Sequence, residues 1–288
     1  MLADFLNGVS TGIAFYVAWP VFLKSSKVRK NALQSFLFNG LIFLSSILVV
    51  EYFIFPLFRS AKFLIASFGW LDTLLAGITR VVYYCFWLLP LYVISLMLNM
   101  SAVTEVAEDT FIVLKIKQDV SSEAARVLAD VIFESIFVAV CMIVAAVIDL
   151  LVALAPYVSP LLWVFYPCSF LFWTWIMAFC AFNTKWKLQG VGILRRVRAI
   201  ETNFAFYAGF GTPITAFTYF YPNFFVNAIV YSLMYPWVVI IACASHNESS
   251  DPTLNPILNA DMDESKGKWP IFKIPLSIAH CLVRKKNL

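Results

Sequence analysis

Charge is what this sequence has least of. Only 13% of its 288 residues are Asp, Glu, Lys or Arg, while 61% are apolar; a soluble protein carries about twice that share of charge. So few charges cannot cover so much apolar surface in water. A soluble globular class is excluded, and the bilayer becomes the solvent. Histidine is nearly missing too: His246 and His280 are the two. No HExxH, GxSxG or Walker pattern appears, so neither an enzyme nor a cofactor is expected, and no nucleic-acid partner. The six cysteines (Cys85, Cys141, Cys168, Cys180, Cys243 and Cys281) form no close pair. That argues against a disulfide frame and a zinc site, and reads as apolar thiols in packed helices. The N-terminus does not read as a signal peptide: Asp4 stands where basic residues belong, and no small-x-small cleavage site follows the first apolar run.

Long apolar runs are what remains. A spanning helix needs about 20 apolar residues. Five stretches meet or approach this: Phe36–Phe58, Val81–Leu98, Val131–Ala155, Val158–Phe182 and Phe224–Ala244. Two more, Phe5–Leu23 and Phe204–Tyr221, carry paired glycines (Gly8 and Gly12; Gly209 and Gly211). Each reads either as a tilted span or as half of a re-entrant hairpin. Pro90, Pro160, Pro167 and Pro236 lie within or near the ends of spans. Proline frees a backbone carbonyl that neighbouring helices must satisfy, so the expected fold is an all-α polytopic bundle, in which those two segments either span or form re-entrant helical hairpins.

Basic residues give the orientation. The regions Lys24–Ser35, Asn99–Asp130, Asn183–Asn203 and the tail after Ser245 hold 18 of the 21 Lys and Arg, and alternating spans place all four on one side. Positive charge stays cytoplasmic, so the C-terminus is expected there. The chain divides into a transmembrane helical domain at 1–244, a polar cytoplasmic linker at 245–268, and an amphipathic basic tail at 269–288 suited to the membrane surface. The chain ends Lys285-Lys286-Asn287-Leu288, which resembles the di-lysine retrieval signal of endoplasmic-reticulum membrane proteins. Coat machinery is the partner such a signal would engage. The glycosylation matches at Asn99 and Asn247 fall on the cytoplasmic side and should stay unmodified.

Three acidic residues lie in or at apolar runs. Glu51 and Glu134 read as charges near helix ends that reach water, while Asp149 sits deeper or near the lumenal mouth. A charge at bilayer centre costs about 3 kcal/mol on insertion scales, so an ion or proton path is the sharper alternative. Glu105, Glu108 and Asp109 share one helix face beyond a span, which reads as solvated. Gly190-Val191-Gly192 is too short for a nucleotide loop.

A family likeness appears in several blocks. Phe86-Trp87-Leu88-Leu89-Pro90, running on to Asn99 and then to Glu105-Val106-Ala107-Glu108, resembles a stretch of the etoposide-induced, autophagy-linked membrane-protein family. The most specific block is Arg196 to Pro213, with Ile200-Glu201, Asn203 ahead of Tyr207, and Gly209-Phe210-Gly211-Thr212-Pro213. Phe204, Ala205 and Thr212 replace the family's Trp, Pro and Leu, which marks a divergent member. The resemblance implies an endoplasmic-reticulum protein acting without catalysis in autophagy and in growth or cell-death control. Its partners would be the bilayer and cytoplasmic proteins, with homo-oligomers left open. The wider superfamily includes CysZ-type sulfate transporters, so an anion channel or transporter is the alternative. A lipid-handling protein is a third reading, with the kinked spans and the glycine block as its groove.

Overall fold

The computed structural model describes residues 1–49, 52–53, 56, 89–116, 124–158, 163–220, 224–245 and 270–284. Among them every regular element is a helix. They are α1 (Leu2–Gly12), α2 (Phe15–Lys24), α3 (Ser26–Val49), α4 (Leu89–Leu114) and α5 (Ala124–Val158). Then follow α6 (Phe165–Leu188), α7 (Ile193–Thr202), α8 (Phe204–Tyr219), α9 (Phe224–Ala244) and α10 (Lys273–Arg284). Ile132–Leu154 and Phe165–Leu188 are long and apolar enough to cross a bilayer, as is the combined stretch Leu2–Lys24. The protein is an all-α membrane bundle.

Hydropathy locates spans, but helices run past them. The expected basic loop at 24–35 is mostly helix, because α3 starts at Ser26. Ser25 Oγ accepts from the Val28 amide at 3.2 Å, a side-chain cap that starts the turn. Val28, Ala32 and Ser35 are buried while Lys27, Arg29 and Lys30 face out, so an amphipathic stripe continues the helix beyond the bilayer. In the same way α4 carries its acidic face on to Leu114, and α6 runs six residues past the predicted end at Phe182.

Ends are set by local chemistry. After α6, Gly190 adopts φ 69° and the Val191 amide returns to the Trp186 carbonyl at 3.0 Å. This is a Schellman close, and it needs the left-handed backbone that glycine accepts freely. The Gly190-Val191-Gly192 run is therefore the turn that launches α7.

The first apolar run is two helices. The chain breaks at Ile13-Ala14, with the Phe15 amide bonded to the Ile13 carbonyl at 2.7 Å. At about 1.5 Å per residue, α1 and α2 are about 16 and 15 Å long. Neither crosses a hydrocarbon core of about 30 Å alone. Their partners differ: α1 lies on α8, while α2 packs on α9, where Trp19 and Phe22 lie 5.9 and 4.5 Å from the Trp237 ring.

The core is built around α6, which packs on α5, α7, α8 and α9. Phe172, Ile176, Phe179, Phe182 and Trp186 line it, all buried. A smaller cluster joins Val103, Ala107 and Phe111 of α4 to Val239 and Cys243 of α9.

Candidate functional site

One end of the α5–α6 pair holds a buried polar cluster. Arg196 of α7 is 3% exposed and Glu134 of α5 is 5% exposed. Arg196 Nη1 donates to Glu134 Oε2 at 3.2 Å and to Asn183 Oδ1 at 2.7 Å. Asn183 Nδ2 donates to Glu134 Oε1 at 2.6 Å, and Arg196 Nε to the Val191 carbonyl at 2.6 Å. The triangle joins three helices and satisfies both carboxylate oxygens, as a desolvated ion pair requires. Glu134 therefore does not reach water as its place near a span end implied; α7 folds over it and supplies the counter-charge. Nearby, the buried Lys185 donates to the carbonyls of Ala242 at 3.0 Å and Ser245 at 2.5 Å. An ammonium there meets the negative end of the α9 dipole and takes up carbonyls with no intrahelical partner.

The block from Arg196 to Pro213 forms the hub beside this cluster. Trp175 Nε1 donates to the Phe204 carbonyl at 2.9 Å, tying the start of α8 to α6. Asn203 precedes α8, and its carbonyl accepts the first turn's bond from the Tyr207 amide at 3.2 Å. Tyr207 and Phe210 are buried, with rings 5.1 and 4.8 Å from Phe182. Glycines set the separations. A Cβ on Gly8 would fall on the Phe206 carbonyl, one on Gly209 on the Phe5 carbonyl, and one on Gly211 on the Thr174 carbonyl. Backbones this close admit no side chain, so α8 is pressed between α1 and α6. Pro213 lies inside α8, where its ring removes one ladder bond and loosens the turn beyond the crossing.

Glu201 ends α7 and reaches the chain's last described segment. Its Oε1 accepts from the Phe272 amide at 3.0 Å. Phe272 itself is 0% exposed, with ring centroids 5.6 Å from Phe137, 6.2 Å from Phe172 and 6.1 Å from Phe179. Pro275 and Ala279 are buried on the same segment while Ile274 and Ile278 face outward. The amphipathic tail expected on the membrane surface is thus plugged into the α5–α6 seam by its first turn.

The other predicted residues scatter. Asp149 of α5 accepts from Ser169 Oγ and from Trp173 Nε1, the latter at 3.0 Å, at the opposite end of the pair. Ala107 is buried in the smaller cluster and Glu105 is exposed. Pro90 and Asn99 fall in the backbone of α4. Trp87, Glu51, Lys285 and Lys286 lie outside the described residues. Sequence reasoning missed the partners Glu134–Arg196 and Glu201–Phe272; the paired glycines were its one signal for the α1–α8 crossing.

The chain is 27% identical over 266 residues to a Dictyostelium discoideum protein named Protein EI24 homolog, covering 91% of this chain and 78% of that one. It is also 27% identical over 309 residues to the Arabidopsis thaliana Protein EI24 homolog, covering 95% of this chain and 92% of that one. No protein-family profile matches the chain, and no solved structure does. The two likenesses support a divergent member of the EI24 family.

Proposed function

We propose that this membrane protein resides in the endoplasmic reticulum and supports autophagy without catalysis, as a rigid bundle whose cytoplasmic loops and tail recruit partners. The observation that carries the reading is the EI24 likeness along nearly the whole chain. The distinctive block also holds helices together. Gly209 and Gly211 set backbone crossings, Tyr207 and Phe210 fill the core, and Arg196 and Glu201 tie α7 to α5 and to the tail. Such a block builds a shape that partners read.

The anion-transport alternative has less support from the same residues. It needs the basic loop at 185–198 to gather anions at a mouth. Lys185 is instead buried on the end of α9, and Arg196 is buried against Glu134.

The test is autophagic flux in cells lacking the protein, with and without its return. Stalled flux that recovers on re-expression supports the proposal. Normal flux overturns it and moves sulfate flux in proteoliposomes to the front.

A further inference from the structure

Asp149 is a charge that the described residues leave uncompensated. It lies on α5 about 22 Å along the helix from Glu134, at about 1.5 Å per residue. Ser169 Oγ and Trp173 Nε1 each donate to one of its oxygens. Tyr219 of α8 packs its ring on Tyr166 and Phe170 of α6 beside them, so α8 joins α5 and α6 at this end. Among the described residues Asp149 has no ion pair. Neutral donors fix where the carboxylate points, but they leave its charge standing.

The surroundings are aromatic. Tyr166, Ser169, Phe170 and Trp173 recur at helical spacing on one face of α6. The Tyr219 ring is 5.5 Å from Tyr166 and 5.5 Å from Phe170, both edge to face. Trp163, 53% exposed, sits 6.4 Å from Tyr166 at the start of the helix. Trp and Tyr gathered at a helix end are typical of the headgroup level of a bilayer. Asp149, Trp173, Tyr166 and Tyr219 are each only half-buried, so the group is open to what lies beside it.

A fixed carboxylate beside aromatic faces is the chemistry that recognises an organic ammonium: the charge pairs with it, and the rings attract it through their quadrupoles. We propose that Asp149, with Tyr166, Trp173 and Tyr219, holds the cationic headgroup of a zwitterionic phospholipid, choline or ethanolamine, at this end of the bundle. A lipid is favoured over a free amine because the site lies on apolar spanning helices at the aromatic level.

The experiment is native mass spectrometry of the full chain, released from micelles doped with equal amounts of phosphatidylcholine, phosphatidylethanolamine and phosphatidylglycerol. The expected result is retention of a zwitterionic lipid over phosphatidylglycerol by about tenfold, the range of a desolvated cation–π and charge contact. Asp149→Asn keeps an acceptor for Trp173 Nε1, offers its amide NH2 to Ser169 Oγ and removes the charge, so it should fold and lose the preference. Asp149→Glu should restore part of it. The choline-versus-ethanolamine ratio identifies the headgroup. Equal retention by the parent protein and Asp149→Asn overturns the proposal, as does a preference for phosphatidylglycerol. Choline chloride binding equally well to lipid-free protein would overturn the lipid as the source.

Discussion

The amide of Phe272 donates to Oε1 of Glu201 at 3.0 Å, across 71 residues of chain. It joins the last turn of α7 to the first turn of the tail helix. The Phe272 ring contributes more, filling the seam between Phe137 and Phe179. Bond and ring together make the start of α10 part of the bundle.

Phe272→Ala should therefore release the tail. Truncating a buried Phe costs about 3–5 kcal/mol when the cavity does not collapse. The expected outcome is cleavage by trypsin at Lys273 in intact detergent-solubilised protein, at a dose that leaves the parent uncut. Glu201→Ala leaves the amide without this acceptor and costs about 1–3 kcal/mol. Glu201→Gln keeps an acceptor and should behave close to the parent. Equal cleavage of Glu201→Ala and the parent would show that the ring alone holds the tail.

The α1–α8 crossing gives a second, sharper test. Gly209→Ala puts a methyl on the backbone at Phe5, and Gly8→Ala puts one on the backbone at Phe206. Backbone cannot swing aside as a side chain can, so each should destabilise by at least the 1–3 kcal/mol typical of overpacking. At Gly192 an added Cβ would meet nothing described within 4 Å, and φ is −65°, so Gly192→Ala is the steric control, costing no more than the ~1 kcal/mol of a poorer N-cap on α7. Thermal unfolding in detergent reads all three. A Gly209→Ala protein as stable as Gly192→Ala would mean that the two helices do not meet this closely.

How far the sequence foretold this can be seen element by element. Hydropathy set the end of α9 at Ala244, because the apolar run stops there and so does the helix. It cut α6 short at Phe182, because Asn183, Lys185 and Lys187 look like loop. The helix continues because buried polar heads find fixed partners: Asn183 a carboxylate, Lys185 the carbonyls of α9. Apolarity says where lipid begins and leaves open where backbone bonding stops. The partner of Glu134 was illegible for another reason. Arg196 is 62 residues away, and nothing local to either marks the pairing. The paired glycines marked the two segments that cross, but nothing in them told which helices would touch.

The ion pair makes its own prediction. Glu134→Ala strands Arg196 in a buried site and should cost about 3–5 kcal/mol, as removing one partner of a buried pair does. Replacing both, as Glu134→Leu with Arg196→Met, removes both charges and should recover part of the loss, the buried Asn183 amide losing these two partners. A double-mutant cycle on thermal unfolding measures the coupling. Purely additive effects would mean that the two groups act separately.

The tail's address is the last prediction, and the latch bears on it. Phe272 is bonded to α7, whose Arg195, Arg196 and Arg198 belong to the basic side of the chain. If that side is cytoplasmic, as a positive excess requires, α10 starts from the cytoplasmic face. Lys285 and Lys286 follow the docked helix directly. Replacing both by Ser should leave thermal unfolding unchanged, since neither belongs to the buried turn at Phe272, and should move the protein to later compartments, seen by fractionation. Native Asn99 and Asn247 should carry no glycan in the same cells. An unmoved Lys285→Ser, Lys286→Ser protein would remove the retrieval signal while leaving the orientation standing. A glycan at Asn247 would reverse the orientation and remove the signal with it, because a lumenal di-lysine end meets no coat.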